Sequence, residues 1–395
     1  MVNTRKPGLP GRPRTAVPVS PFAPGPTRRP PPRQRRTAAR SPRLTRHDVL
    51  PGHIFAKDTA KLLGCYRKVE QIQNGEMPTP ETLELFPSNV CNFSCPHCLF
   101  TGTRSAGEPQ VMPFELADSL LQDARSRGTE ACELSGGGEP LTHPRFVEII
   151  ERAAELGYHI GVITNGALLG EPGLADSLAR HCTWLRVSLD AGTPDTYRRV
   201  HGPQADLDQV VAGITALLHA RRALGTPIRV GVKFLFSRLN ASDWEHAIGL
   251  AARVGVDYIA FKAAVRCRHE LSREEARALF AAVSRAAARR QTADLRVMTS
   301  FHADAGFPKC LLTPLHALVD WDGSIYVCPF YPHRRDRHLI GNATEGGLFA
   351  HWGSPLHKER IASIDPHECN PDCPLAKFEP VIEFIGRESD HFPFF

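Results

Sequence analysis

From residue 82 onward, short apolar runs rich in β-branched residues alternate with stretches of helical period. The runs Leu83–Asn89, Ala131–Ser135, His159–Thr164, Trp184–Leu189, Ile228–Phe236 and Tyr258–Lys262 predict strands. The stretches between and after them predict helices near 113–127, 144–156, 172–181, 207–223, 241–254 and 273–290. Strands that alternate with helices make parallel βαβ units, so the expected class is α/β. Six units are too few for a full eightfold barrel, which leaves a partial barrel or an open sheet. Either gathers its ligand at the C-terminal strand ends.

The pattern changes after residue 300. Val319–Val327 reads as a hairpin around Asp322-Gly323, and the rest is rich in Cys, His, Pro and Gly with little period. Such a segment has a thin apolar core and wants a metal staple. The expected organisation is a Pro/Arg-rich disordered tail over 1–46, a lead-in over 47–81, the barrel over 82–295 and a Cys-rich domain over 296–395.

Charge alters one inference. The 395 residues carry a net charge of +6, but residues 1–46 hold 12 of the 48 Lys and Arg and no acid. The remainder has 36 bases against 42 acids, so no nucleic acid partner is expected of the folded part. Without an apolar run of 18 residues, no membrane partner is expected either. Eleven cysteines with no export signal point to metal or redox chemistry in a reducing, cytoplasmic compartment.

Seven of those cysteines form two patterns. Cys91, Cys95 and Cys98 follow the first strand with C-x3-C-x2-C spacing, so three thiolates can converge and leave one coordination position open. A zinc ion with His97 as fourth ligand also fits the spacing. The second strand ends in Gly136-Gly137-Gly138-Glu139, the third in Thr164-Asn165-Gly166, and the fourth in Ser188-Leu189-Asp190, with Arg198 and Arg199 just beyond. Polar residues at four successive strand ends are what a parallel barrel uses to build a site. The second pattern is Cys310, Cys328, Cys369 and Cys373, enough for four thiolate ligands. Cys267 and His367 stand nearby as substitutes, and a structural zinc is the alternative there. Cys65, Cys132 and Cys182 are isolated and read as small core residues.

These motifs, with Val187–Gly202 (VSLDAGTPDTYRRVHG), resemble the radical S-adenosylmethionine (radical SAM) enzymes in order and spacing over about residues 82–265. The resemblance implies a partial (β/α)6 TIM-like barrel. It implies that Cys91, Cys95 and Cys98 bind a 4Fe-4S cluster whose fourth iron is chelated by S-adenosylmethionine. Gly137, Gly138 and Glu139 would hold the cofactor's amino group. Ser188 with Arg198 or Arg199 would hold its carboxylate and ribose, His97 would lie near the adenine, and Asn165 and Asp190 would complete the site. The later cysteines resemble the ligands of SPASM and twitch auxiliary domains. Four of them suit the twitch form with one auxiliary 4Fe-4S cluster, although C-x3-C stands where C-x2-C is usual.

The resemblance further implies reductive cleavage to a 5′-deoxyadenosyl radical, with flavodoxin or ferredoxin as reducing partner. Hydrogen abstraction followed by oxidation through the auxiliary cluster would make an oxidoreductase of the dehydrogenase type. The alternatives within that chemistry are a redox-neutral epimerase or dehydratase. No N-terminal module that could grip a leader peptide is evident, which favours a small-molecule substrate such as a sugar, an aminocyclitol or another natural-product intermediate. The alternatives are a maturase of a ribosomal peptide and, in another class, a non-catalytic iron–sulfur protein. The general base stays open among Lys262, Arg266, Asp320, Asp322 and Tyr331.

Overall fold

The computed structural model describes residues 59–100, 110–290, 295–299, 310–369, 373, 375 and 378–385. The expectation of a disordered tail over 1–46 lies outside the described residues.

A 3-10 turn (Thr59–Cys65) leads into α1 (Tyr66–Gln73) and then β1 (Thr82–Leu85). The barrel continues through α2 (Phe114–Ser126), β2 (Ala131–Leu134), α3 (Phe146–Glu155), β3 (His159–Thr164), α4 (Leu174–His181) and β4 (Trp184–Ser188). It is completed by α5 (Pro194–His201), α6 (Leu207–Leu224), β5 (Arg229–Phe236), α7 (Trp244–Val254), β6 (Tyr258–Ala263), α8 (Arg273–Arg290) and β7 (Arg296–Thr299). After these come β8 (His316–Val319), β9 (Ser324–Tyr326), α9 (Arg335–His338), β10 (Leu339–Asn342), α10 (Pro355–Ala362) and α11 (Glu379–Ile385).

One sheet runs β10-β9-β8-β1-β2-β3-β4-β5-β6-β7. From β8 through β1 to β7 all neighbours are parallel, and β9 and β10 add antiparallel pairs at one end. Among the described residues the sheet stays open, which is the partial barrel expected from six units. The helices bury one face against it. In α3 these are Phe146, Ile149, Ile150 and Ala153, at helical spacing. Asp206 caps α6 by accepting from the Asp208 and Gln209 amides, and Gly225 ends it in the left-handed region at φ 63°.

Three expectations change. The strand read as Leu83–Asn89 stops at Leu85. Phe86 N still donates to Val319 O, but Pro87 has no N–H with which to continue the ladder. Residues 194–201, read as a motif, form the helix α5 behind Pro194. The region after residue 300 does not have the thin core expected of it. Ala317, Val319, Ile325, Val327, Ile340, Leu348 and Trp352 join the main barrel core, because β8 extends the β1 edge and carries the hairpin with it.

Candidate active site

A cavity of about 560 Å³ opens at the C-terminal ends of β1 to β6. Cys91, Cys95 and Cys98 line one wall, and Gly138, Glu139, Asn165 and Ser188 lie beside them. The loop that carries the cysteines is tied to the barrel at several points. Asn165 Nδ2 is 3.9 Å from Cys91 Sγ and donates to Asn92 Oδ1 at 2.6 Å. His201 Nδ1 is 3.1 Å from Cys95 Sγ, and its Nε2 donates to Leu189 O. His97 Nε2 donates to Asp190 Oδ2 at 3.3 Å. Burial lowers the His201 pKa to about 4, so its ring is neutral.

Asp190 sits in the left-handed region at φ 53°, and its Oδ1 accepts from Leu235 N at 2.6 Å. Burial alone would raise its pKa. The His97 hydrogen bond, helped by the nearby Lys233 charge, outweighs burial and holds it below the usual value. Both carboxylate oxygens are therefore engaged within the protein. Asp190 fixes the cysteine loop rather than presenting a free carboxylate to the cavity.

Glu139 is 3 % exposed. Its Oε1 accepts from Leu141 N (3.1 Å) and Thr164 Oγ1 (2.6 Å), and its Oε2 accepts from Asn165 N (2.7 Å). It thus ties the β2 end to the β3 end and still lines the cavity. A Cβ at Gly138 would lie 2.2 Å from Val90 O, so this glycine is needed for packing against the cysteine loop. A Cβ at Gly137 would meet the Phe100 ring at 3.3 Å, and Gly137 does not line the cavity.

Two expected residues are not brought in. Arg198 pairs with Asp195 at 3.5 Å and is half exposed, and Arg199 donates to Leu239 O on the outer side of α5. Neither lines the cavity. The cations that do are Arg186 on β4, Lys233 on β5 and Lys262 on β6, of which only Lys262 was singled out from sequence. Across from them stand Glu84 on β1, Glu133 on β2 and His316 on β8. Glu84 accepts from Ser135 Oγ (2.5 Å) and His316 Nε2 (2.7 Å). Burial and then Glu84 push Glu133 up to about 7.

The other base candidates stand apart from the cavity. Asp320 is buried and accepts from Tyr331 Oη at 2.5 Å. Asp322 pairs with Arg335, and Arg266 N donates to Glu270.

Cys310, Cys369 and Cys373 pack together with Phe330 and Leu375. Burial and then Glu379 raise the Cys310 pKa, with the thiols of Cys328, Cys373 and Cys369 adding to it. Burial likewise pushes Cys328 up to about 12. Buried thiols gathered in this way are a donor set that a positive centre would stabilise as thiolates. No group of three or more His, Cys, Asp or Glu side chains that could hold a metal ion is formed among the described residues. The thiols are gathered in one place without being closed on a point. Pro329, Phe330 and Leu375 also line the first cavity, so the second cysteine group lies behind its wall. Cys267 has His269 and Glu270 as neighbours instead, and His367 is exposed. Cys132 and Cys182 are buried in the main core, as expected.

Residues 85–235 match the family described as the Radical SAM superfamily, and the chain carries that segment. Mycofactocin maturase MftC of Mycobacterium ulcerans is 28% identical over 74% of this chain and 80% of its own length. A probable GTP 3′,8-cyclase of Saccharolobus islandicus is 28% identical over 45% of this chain and 55% of its own. Streptococcus suis SuiB, solved with its precursor peptide SuiA, superposes with a TM-score of 0.62 at 16% identity, over 83% of this chain and 78% of SuiB. That likeness establishes a shared fold. No described helix is long and apolar enough to cross a membrane.

Proposed function

We propose that this chain is a radical SAM enzyme that matures a peptide by oxidising it. The carrying observation is one cavity lined by Cys91, Cys95 and Cys98 and also by Phe330 and Leu375, which pack with Cys310, Cys369 and Cys373. The relative that spans most of this chain is a maturase, and the fold neighbour was solved with a precursor peptide. These likenesses favour the peptide alternative over the small-molecule reading. The cyclase likeness covers less than half of the chain and carries less weight.

In this reading Cys91, Cys95 and Cys98 would hold one 4Fe-4S cluster, and Cys310, Cys328, Cys369 and Cys373 an auxiliary one. When bound and reduced, the first cluster supplies an electron that cleaves S-adenosylmethionine and yields a 5′-deoxyadenosyl radical. The residues of the chain orient and shield. Glu139, anchored by three donors, offers its remaining acceptor capacity to an ammonium group. Ser188 and Asn165 present polar groups at neighbouring strand ends. His97 is held by Asp190 with Nδ1 buried and unpartnered, available to one hydrogen-bonding group of a ligand. Leu99 and Phe100 add apolar cover against water.

The test is anaerobic incubation with S-adenosylmethionine, a reductant and candidate short precursor peptides, with small molecules assayed alongside. The expected result is a peptide lighter by whole hydrogen pairs or by a small lost fragment. An unchanged peptide together with a modified small molecule would overturn the peptide reading.

A further inference from the structure

Among the described residues four carboxylates line the cavity, and three of them are engaged. Glu84 accepts from Ser135 Oγ on one oxygen and from His316 Nε2 on the other. Glu139 accepts from three donors. Asp190 accepts from Leu235 N on Oδ1 and from His97 on Oδ2. Glu133 differs: half-buried at the cavity wall, its carboxylate has no hydrogen bond and no ion pair among the described residues. Its position makes this costly. Glu84 and Glu133 are register partners on the parallel strands β1 and β2, so their side chains leave the same face of the sheet side by side. Like charges directly opposite one another on neighbouring strands destabilise a sheet. Burial and then Glu84 push Glu133 up to about 7, while the charges of Arg186, His316 and Lys233 favour its ionised form. The remaining cation of the cavity, Lys262, stands on β6. Two adjacent carboxylates, one tied down and one free with its ionisation opposed, are how a site separates a fixed charge from a group that moves a proton.

We propose that Glu133 is the general base of this enzyme and takes the proton that the substrate gives up on oxidation. The proposal rests on the peptide oxidation proposed above. The 5′-deoxyadenosyl radical takes a hydrogen atom from a substrate C–H. The carbon radical left behind loses a proton from a neighbouring N–H or O–H to the Glu133 carboxylate. It loses one electron to a one-electron oxidant, an iron–sulfur centre, and the carbon gains a double bond to its neighbour. The substrate thus loses two hydrogens, one as an atom and one as a proton with a separate electron. Glu84, Glu139 and Asp190 have their oxygens taken by protein donors, which leaves Glu133 as the carboxylate open to this role. The competing base is Lys233, whose pKa burial and then Arg186 lower to about 8.

The first arm of the test needs no substrate. The anaerobic holoenzyme is treated near neutral pH with dicyclohexylcarbodiimide, which attacks protonated carboxyls, and the adducts are mapped by mass spectrometry. Glu133 should react at least about tenfold faster than Glu84, Glu139 and Asp190, and more slowly as pH rises, since it alone is held partly protonated there. Labelling of Glu133 no faster than the other three would overturn the proposal. The second arm uses the peptide oxidised in the assay above, prepared with deuterium on carbon. Glu133→Gln should raise the ratio of 5′-deoxyadenosine to oxidised peptide at least about a hundredfold, the low end of what a general base contributes. Deuterium should still reach 5′-deoxyadenosine, because the peptide is bound and its hydrogen atom taken. Glu133→Asp should recover part of the oxidation, with iron content confirming the fold of each variant. In the wild type, oxidation should rise with pH through neutrality to a plateau, since the base acts when ionised. A wild-type ratio in Glu133→Gln would overturn the proposal, and the same defect in Lys233→Gln alone would assign the base to Lys233. Loss of deuterium transfer in Glu133→Gln would overturn it too, by making Glu133 a binding group. A wild-type protein that oxidises no peptide fails the proposed function instead, and the carbodiimide arm reads Glu133 independently of it.

Discussion

The two cysteine groups are built in opposite ways. Cys91, Cys95 and Cys98 share one loop, and the barrel holds that loop through Asn165, His201 and the His97–Asp190 contact. Glu139 N and Gly138 N add backbone bonds to Val90 O and Ser88 O at its root. Cys310, Cys328 and the Cys369/Cys373 pair come instead from three separate stretches of the chain. Their anchors are lighter: Phe330 N to Cys328 Sγ at 3.4 Å, Arg334 Nη1 to Cys369 Sγ at 3.7 Å, and the Glu368 carbonyl held by Arg334 and Arg266. The first group sits on a loop that hydrogen bonds tie to the barrel. The second is gathered from distant stretches of the chain, so a bound centre would carry folding energy as well as electrons.

The largest expected effect breaks the first group. Replacing Cys91, Cys95 and Cys98 together by Ala should abolish formation of 5′-deoxyadenosine. Iron should fall from about eight to about four per chain, the difference of one 4Fe-4S cluster. Thermal melting should move little, because the loop is held by the bonds just described. A large drop in melting temperature would show that this group, too, depends on its metal.

Cys328→Ala probes the other side of the comparison. It should make the segment after residue 310 protease-sensitive while the barrel stays protected. It should stop oxidation of the substrate and leave uncoupled cleavage of S-adenosylmethionine. Oxidation at the wild-type ratio to 5′-deoxyadenosine would make the second group structural only and the reaction redox-neutral.

Glu139→Gln sharpens the comparison within the first group, since Glu139 has both a binding role and a structural one. Affinity for S-adenosylmethionine should fall by about 1.5–3 kcal/mol, the usual worth of a hydrogen bond to a charged partner. The melting temperature should also drop, because three donors lose a charged acceptor. A stable variant with unchanged affinity would reduce the strand end to a plain turn.

The smallest effect concerns the His316–Glu84 pair, which joins the β8 segment to β1. Burial opposes the charge on His316, but the hydrogen bond to Glu84 raises its pKa overall. A raised folded pKa means that the pair stabilises fully below the unfolded value of about 6.5 and loses that effect as pH rises through the folded one. Denaturant melts of wild type and His316→Gln should therefore differ most near pH 6 and converge at higher pH. A difference that grows with pH would contradict the assignment.

Much of the barrel was readable because its strands are nearly continuous apolar runs and its helices keep a strict period. His159–Thr164 and Arg273–Arg290 came out with the bounds expected. The hairpin at Asp322-Gly323 was legible and pairs β8 with β9, whereas the helix α5 was hidden by its polar sequence and β10 by its length of four residues. Spacing pointed to Cys91, Cys95 and Cys98, and strand-end position to Glu139, Asn165 and Ser188, all of which line the cavity. Arg198 and Arg199 were misplaced because a motif does not say which face of a helix a side chain takes. Glu84, Glu133, Arg186 and Lys233 went unnoticed although the signal was present. Each is a charged residue at an alternating position inside an otherwise apolar parallel strand, where charge has no structural reason to be.

The most direct test of the central claim is a single anaerobic assay. The purified chain is reconstituted with iron and sulfide, reduced with dithionite and given S-adenosylmethionine. The account predicts 5′-deoxyadenosine and methionine in equal amounts, from a protein that holds iron at Cys91, Cys95 and Cys98. Stoichiometric zinc in place of iron, with no 5′-deoxyadenosine formed, would contradict it.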